Sequence, residues 1–196
     1  MNDLEFLKRS LNELASIDEN TFNLSKQYWQ VREYKKGEYY NDFRQVCKHL
    51  GFVIEGVFRT YQLDPKSGEE KNVFFYTNNQ IVVSYASFIH QVPCHFYTQS
   101  MVNSKVIYIH IDHLMELYKE SHAWERLGRL IAEQASTFAI VRTESLLFLT
   151  PEQRYLNLVS QHPDLLNCIP LYHISSYLGI KGPSLSRIRK RIAGKK

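Results

Sequence analysis

Leu4, Leu7, Leu11 and Leu14 fall at spacings of three and four, the period that aligns side chains on one face of an α-helix. They predict one short amphipathic helix within residues 1 to about 26, with Asp3 and Glu5 near its positive N-terminal end. From about residue 28 to 111 the pattern turns to short β-rich runs: YWQVREY, FVIEGVFRTYQL, VFFYT, IVVSY, HFYTQSMV and KVIYIHI, punctuated by KKG, DPKSGEE and TNNQ. Many short strands with turns between them predict an antiparallel roll or barrel, not a parallel α/β sheet. In DPKSGEE, Pro65 presets one turn dihedral and Gly68 accepts a positive φ, so Phe58 to Leu63 and Lys71 to Thr77 are expected to pair as a hairpin.

A helical period returns from about Ser121 to Leu149, a stretch without proline and with one glycine, Gly128. Trp124, Leu127, Ile131, Gln134, Phe138, Val141, Ser145 and Phe148 alternate spacings of three and four, and six of these eight are apolar. Such a stripe suits a helix lying on its own domain's core. It also suits a two-helix seam, which the strict heptad spacing favours because a lone surface helix drifts away from it. We therefore expect a parallel homodimer through Trp124, Leu127, Ile131, Gln134, Phe138 and Val141, with Gln134 pairing with its symmetry mate to set the register.

Thr150, Pro151 and Glu152 form a helix start, an N-cap followed by proline at the first helical position. Beyond it, IPLYHISSYLGIKGPSLSRIRKRIAGKK reads as two short helices joined at Gly179. Ile174 and Leu178 face inward from the first helix, and Leu185, Ile188 and Ile192 from the second. Two such helices, the second loaded with Ser184, Ser186, Arg187, Arg189, Lys190 and Arg191, make a helix-turn-helix. Helical spacing lines up Ser184, Arg187 and Arg191 on one outward side. Because a forked guanidinium matches both major-groove acceptors of guanine, Arg187 is the first candidate for base readout, and Lys181 with the other polar residues for phosphate contact.

Charge sharpens this picture. Residues 181 to 196 hold seven basic side chains, Lys195 and Lys196 among them, and no acidic one. Removing those seven from the total of 24 leaves 17 basic against 20 acidic residues in positions 1 to 180, a net of −3 in a chain of net +4. The positive field is confined to the end of the chain, as a local phosphate-binding surface requires. A solvated basic tail is the simpler alternative, but such a tail has no need of Leu185, Ile188 and Ile192 at helical spacing. A 44% hydrophobic and 22% charged composition is that of a globular protein and excludes disordered and fibrous classes. No apolar run reaches bilayer length and the N-terminus carries no signal-peptide core, so a cytoplasmic location without membrane partners is expected. Cys47, Cys94 and Cys168 form no CxxC pair and are expected to be reduced thiols packed as small apolar groups.

The order of these elements resembles the superfamily of cyclic-AMP receptor protein and Fnr (Crp/Fnr) regulators over nearly the whole chain. FVIEGVFRTYQLDPKSGEEKNVFF looks like the hairpin region of the roll, with Gly56 and Gly68 at its turns. RYLNLVSQHPDLLNCIPLYHISSYLGIKGPSLSRIRKRI is similar to the DNA-binding domain of the Bacteroidetes-type branch. The resemblance implies an α+β fold: a cyclic-nucleotide-binding-like antiparallel β-roll (double-stranded β-helix) over residues 1–120, a dimerisation helix over 121–149 and a helix-turn-helix domain over 150–196. It implies a sequence-specific transcription regulator, not an enzyme, with double-stranded DNA, a second copy and RNA polymerase as candidate partners.

The chain departs from the family pattern in two places. Pro183 stands where the recognition helix usually has a Glu that can contact cytosine, so a different operator is expected. Cyclic-nucleotide binders of this fold carry a Gly-Glu pair and an Arg; here NNQIVVSYASFIHQVPCHFYTQS places Val83 and Ser84 at the pair and His95 near the Arg. A neutral histidine does not replace a bidentate guanidinium for phosphate, which points to an effector other than a cyclic nucleotide, in a pocket around Val83, Ser84, His95 and Tyr97. The competing class is a cupin-like small-molecule-binding or metal-dependent enzyme with an accessory nucleic-acid-binding tail, for which His90, His95, His110 and His113 are the candidate ligands. His110 and His113 are three apart where a strand enters a helix, a poor arrangement for a shared metal, and no HxH motif with a suitably spaced Glu is present. No metal, cofactor or catalytic residue is expected.

Overall fold

The computed structural model describes residues 2–163 and 165–194; of the expected basic cluster, Lys195 and Lys196 lie outside the described residues. The N-terminal leucine stripe forms α1 (Asp3–Ala15), whose first turn is closed by Asn2 Oδ1 accepting from the Glu5 N–H at 2.8 Å. The single helix expected here is in fact two. Ser16 takes a left-handed conformation that ends α1, and Asp18 caps a new helix, α2 (Glu19–Ser25), by accepting from the Thr21 N–H.

Eight strands follow: β1 (Gln30–Tyr34), β2 (Tyr39–Asn41), β3 (His49–Glu55), β4 (Phe58–Leu63), β5 (Glu70–Tyr76), β6 (Ile81–Val82), β7 (Tyr97–Ser100) and β8 (Ser104–His110). They form two antiparallel four-stranded sheets, ordered β1-β8-β3-β6 and β2-β7-β4-β5. The expected hairpin is the β4–β5 pair, with Leu63 opposite Glu70 and Phe58 opposite Tyr76. Its turn is held by Asp64, whose side chain accepts from the Lys66 and Ser67 N–H groups, and by Gly68 at φ 73°. IVVSY, expected as a strand, supplies only the two residues of β6. The chain then coils into a short helix, α3 (Tyr85–His90), which its apolar run does not distinguish from a strand.

Tyr34, Val53, Phe58, Val82 and Val106 pack between the sheets, while Leu50, Phe52, Ile107 and Ile109 leave the other face of β3 and β8 to meet helices. Both faces of those strands are therefore buried, which is why their sequences read as continuous apolar runs.

The helices on that outer face are α1, α4 (Ile111–Glu120) and α5 (His122–Phe148). Gly128 on α5 lies against Tyr118 of α4, where a Cβ would stand 2.5 Å from the tyrosine hydroxyl; the lone glycine is a close-approach point. Trp124, Leu127 and Ile131 are 0%, 0% and 4% exposed, packed with Leu7, Leu11, Phe22 and Leu117. This corrects the expected seam. The first half of the heptad stripe is filled within the same chain, and only its second half, with Gln134, Val141 and Phe148, faces outward. Spacing alone does not separate these two uses, because both bury one face of a helix.

After α5 come α6 (Pro151–Gln161), α7 (Leu165–Cys168), α8 (Leu171–Leu178) and α9 (Gly182–Ala193). Tyr155, Leu158, Ile174, Leu178, Leu185 and Ile188 form their core, which is continuous with Val57, Phe75 and Met101 of the roll. Cys47 and Cys94 are buried as expected; Cys168, on the short α7, is exposed, which corrects the third assignment. No helix among the described residues is long and apolar enough to cross a membrane.

Candidate nucleic-acid interface and effector cavity

The turn between α8 and α9 is set by Gly179, at φ 67°, a left-handed conformation natural to glycine. Its N–H donates to the Ser176 carbonyl, and the Ile180 N–H to that of Ser175, closing the end of α8. Pro183 sits in the first turn of α9, where its missing N–H is not required. Leu185 and Ile188 are buried and Ile192 half-buried beneath α9.

Of the seven basic or polar residues expected to meet DNA, Lys181, Ser186, Arg187, Arg189, Lys190 and Arg191 are exposed and Ser184 is half-buried. With 185, 188 and 192 inward, about 100° of rotation per residue places Arg187 and Lys190 furthest out, Ser186 beside them, and Ser184, Arg189 and Arg191 on the flanks. The expected line of Ser184, Arg187 and Arg191 is thus rotated. Arg191 turns back to Glu152 of α6 at 3.1 Å and is held by the protein itself. The junction between α5 and α6 is also tied. Thr150 and Gln153 form a reciprocal capping box, and Arg154 donates to the carbonyls of Leu149 and Leu178, bridging the end of α5 to the end of α8.

A polar network missed by the sequence reading joins α8 to the roll. Ser176 Oγ donates to the Glu70 carbonyl at 2.7 Å and accepts from the Asn72 N–H at 3.0 Å, capping the open edge of β5. Arg59, buried on β4, makes a two-pronged pair with Glu70, reaches Gln99 through Nε and Nη2, and lies 3.9 Å over the Tyr61 ring. Its Nη1 also donates to His173 Nδ1 at 2.8 Å, so that histidine carries its proton on Nε2. The lone arginine inside the apolar run FVIEGVFRTYQL was the available signal, since a charge there needs a buried partner.

Burial, then the neighbouring Arg59 charge, pushes His173 down from its ordinary 6.5 to about 4, with Glu70 opposing. A base whose pKa is depressed only in the packed state resists protonation there, so stability is lost as pH falls from 6.5 toward about 4 and is flat above. The groups facing His173 are Arg59, Glu70, Asn72 and Tyr172. Glu70 is held below the usual carboxylate range, first by its hydrogen bond with Arg59. We expect the thermal midpoint to fall on acidification through this window, and the fall to be blunted in His173→Gln. An equal fall in both proteins would show that another group carries the effect.

Between the roll and α5 lies a cavity of about 990 Å³. Three of the candidate pocket residues, Val83, Ser84 and His95, border it, together with Phe74, Tyr76, Phe138 and Arg142. Tyr97 does not; strand alternation turns it to the opposite face, where it stacks on Tyr61 and Phe43. His95 is exposed at the rim, and Ser84 Oγ lies 2.7 Å from Cys94 Sγ. The wall has no guanidinium from the roll; Arg142, from α5, is its one arginine among the described residues. A phosphate held from the roll side, as a cyclic nucleotide requires, does not fit this donor set.

The four candidate histidines do not converge. His110 pairs with Asp112, His113 stacks on Tyr28, and His90 and His95 are exposed. Among the described residues, no group of three or more His, Cys, Asp or Glu side chains is placed to hold a metal ion.

No protein-family model and no curated protein sequence matches the chain. Solved structures do. FixK2 from Bradyrhizobium japonicum is 15% identical and superposes with a TM-score of 0.72 over 85% of each chain. CLP, a c-di-GMP-responsive global regulator from Xanthomonas campestris, is 15% identical with a TM-score of 0.67 over 91% of this chain and 93% of its own. A protein from Eubacterium rectale assigned to the Crp/Fnr family of transcriptional regulators is 16% identical with a TM-score of 0.68, over 92% and 85%. The chain has the fold of these regulators: a sheet domain, a long helix and a C-terminal helical domain.

Proposed function

We propose that this chain is a sequence-specific DNA-binding transcription regulator of Crp/Fnr type, with the C-terminal stretch of the Bacteroidetes branch, acting in the cytoplasm as a homodimer and not as an enzyme. The observation that carries this reading is α9: Ser186, Arg187 and Lys190 stand exposed on one side and Leu185 and Ile188 are buried on the other, in a helix entered from a glycine turn. A helix fixed by its apolar face and crowned with arginine and lysine is what major-groove docking needs. Its fold supports the same reading. The working units are residues 1–120, 121–149 and 150–196.

A dimer is supported by the second half of α5, where Ile140, Val141, Leu147 and Phe148 are all more than half exposed. Such an apolar stripe on one helix suits a parallel mate, which would set two copies of α9 about one turn of B-DNA apart. An effector entering the cavity shifts DNA affinity only as far as it prefers one arrangement of the helical domain over another. If the outcome is activation, RNA polymerase is the further partner.

The test is selection of bound sequences from a random duplex pool, followed by mobility shifts at fixed salt. Arg187→Ala is expected to weaken the selected site by about 1–3 kcal/mol, roughly 5- to 150-fold, and to relax one base position. Lys190→Ala is expected to weaken all duplexes alike and lower the salt slope by about one. No enriched sequence, or a selected site bound equally by Arg187→Ala, sinks the assignment of Arg187 to base readout.

A further inference from the structure

Arg142 is a half-buried guanidinium with no carboxylate partner among the described residues. It donates through Nη2 to the Tyr177 carbonyl of α8 and lies 4.0 Å over the Tyr177 ring. A guanidinium has five N–H donors, so most of its capacity is unspent. Burial, with the neighbouring Arg154 charge as a lesser cause, pushes it down from the usual arginine value, and Tyr177 opposes the shift.

The same side chain borders the cavity between the roll and α5. Phe74, Tyr76, Ile81, Val83 and Phe138 make much of that cavity apolar, with the Phe74 and Phe138 rings 4.1 Å apart. The acid on the cavity's far wall, Glu13, is paired with Arg9 at 3.7 Å, so the uncompensated charge in the cavity is positive and lies at the α8 side.

Resting on the reading of the roll as a sensor, we infer that this cavity takes a small molecule with an apolar body and a single anionic head, and that Arg142 holds the head. The apolar walls reward burial of a hydrocarbon or aryl body. A carboxylate or phosphate offers the guanidinium a two-pronged, charge-assisted bond that one backbone carbonyl does not supply. A neutral ligand of the same shape gains nothing from that arginine. Turning toward the head draws Arg142 off the Tyr177 carbonyl, so occupancy of the cavity loosens α8, the helix immediately before the Gly179 turn. Arg142 thereby acts as the positioning residue between cavity and helix-turn-helix.

The experiment is calorimetric titration of the DNA-free full chain with decanoate, decyl phosphate and 1-decanol. At least one of the two anions is expected to bind once per chain and at least tenfold more tightly than 1-decanol; which of them is tighter separates a carboxylate from a phosphate head. Arg142→Gln is expected to bring the preferred anion to within about twofold of the alcohol. As this variant also gives up the bond to α8, Ala135→Trp is the second probe. It fills the cavity from α5 and is expected to remove binding of all three compounds while the folded spectrum is kept.

Amide exchange across residues 171–180 is expected to rise several-fold with the bound anion and not with 1-decanol. The inference is overturned by equal binding of anion and alcohol, by no binding of either anion, by anion binding that survives Ala135→Trp, or by exchange that does not change. No step uses DNA. A chain that selects no duplex would overturn the regulator reading alone, and one that binds its site but neither anion would overturn this inference alone.

Discussion

Trp124→Ala is expected to destabilise the chain by about 3–5 kcal/mol, the range for emptying a fully enclosed tryptophan site. Trp124 is completely buried, its ring 6.4 Å from that of Trp29 and its Nε1 donating to the Thr21 carbonyl at 3.4 Å, so the neighbours that would have to close the gap come from several elements at once. For a chain of this length that loss lowers the thermal midpoint by roughly 6–20 °C. The informative comparison is with Leu147→Glu and Phe148→Glu, at the 70% and 77% exposed end of the same helix. These are expected to cost the single chain about 0.5 kcal/mol or less and to shift sedimentation toward monomer. A Trp124→Ala protein that keeps its stability but dissociates would return the first half of α5 to the dimer seam. Monomers and dimers unchanged by both glutamates would remove the helix from the interface.

Arg59→Ala is the second large effect, about 3 kcal/mol and a midpoint roughly 6–12 °C lower. The substitution leaves the Glu70 carboxylate without its cation, strips Gln99 of its donor, and removes the N–H that His173 Nδ1 accepts. Because His173 belongs to α8, the loss falls on the contact between the roll and the helical domain. Alongside the lower midpoint, amide exchange should therefore rise over residues 171–178 more than over β4. A cycle with His173→Ala separates the two parts: coupling above about 1 kcal/mol between positions 59 and 173 is expected. Additive effects of the two substitutions would mean that Arg59 serves the sheet alone.

These two residues mark where the sequence stopped being legible. The roll, the β4–β5 hairpin, the long helix and the glycine turn near 179 all follow from local period and turn chemistry, because each is decided by neighbours a few residues apart. The basic face of α9 followed too, since Leu185 and Ile188 orient the helix and the charges have only the other side to occupy. The line of Ser184, Arg187 and Arg191 did not hold: with 185, 188 and 192 inward, helical spacing itself sets Arg191 on a flank, and only the tertiary structure shows that Glu152, 39 positions earlier, holds it there. The cavity was partly legible: Val83, Ser84 and His95 border it, but Tyr97 is turned away by the alternation of β7.

From its own order of residues, the chain determined most of its helices and strands, the break between α1 and α2 and the short α3 excepted, and where positive charge collects, as these depend on periodicity and composition. Tertiary structure alone decided that Trp124 is core while Phe148 is free, that Arg59 meets His173 across 114 positions, and that Arg142 stands between a cavity and α8. The reason is physical. An apolar stripe or a lone arginine states a need for a partner, and only the packing of distant segments selects the partner that meets it.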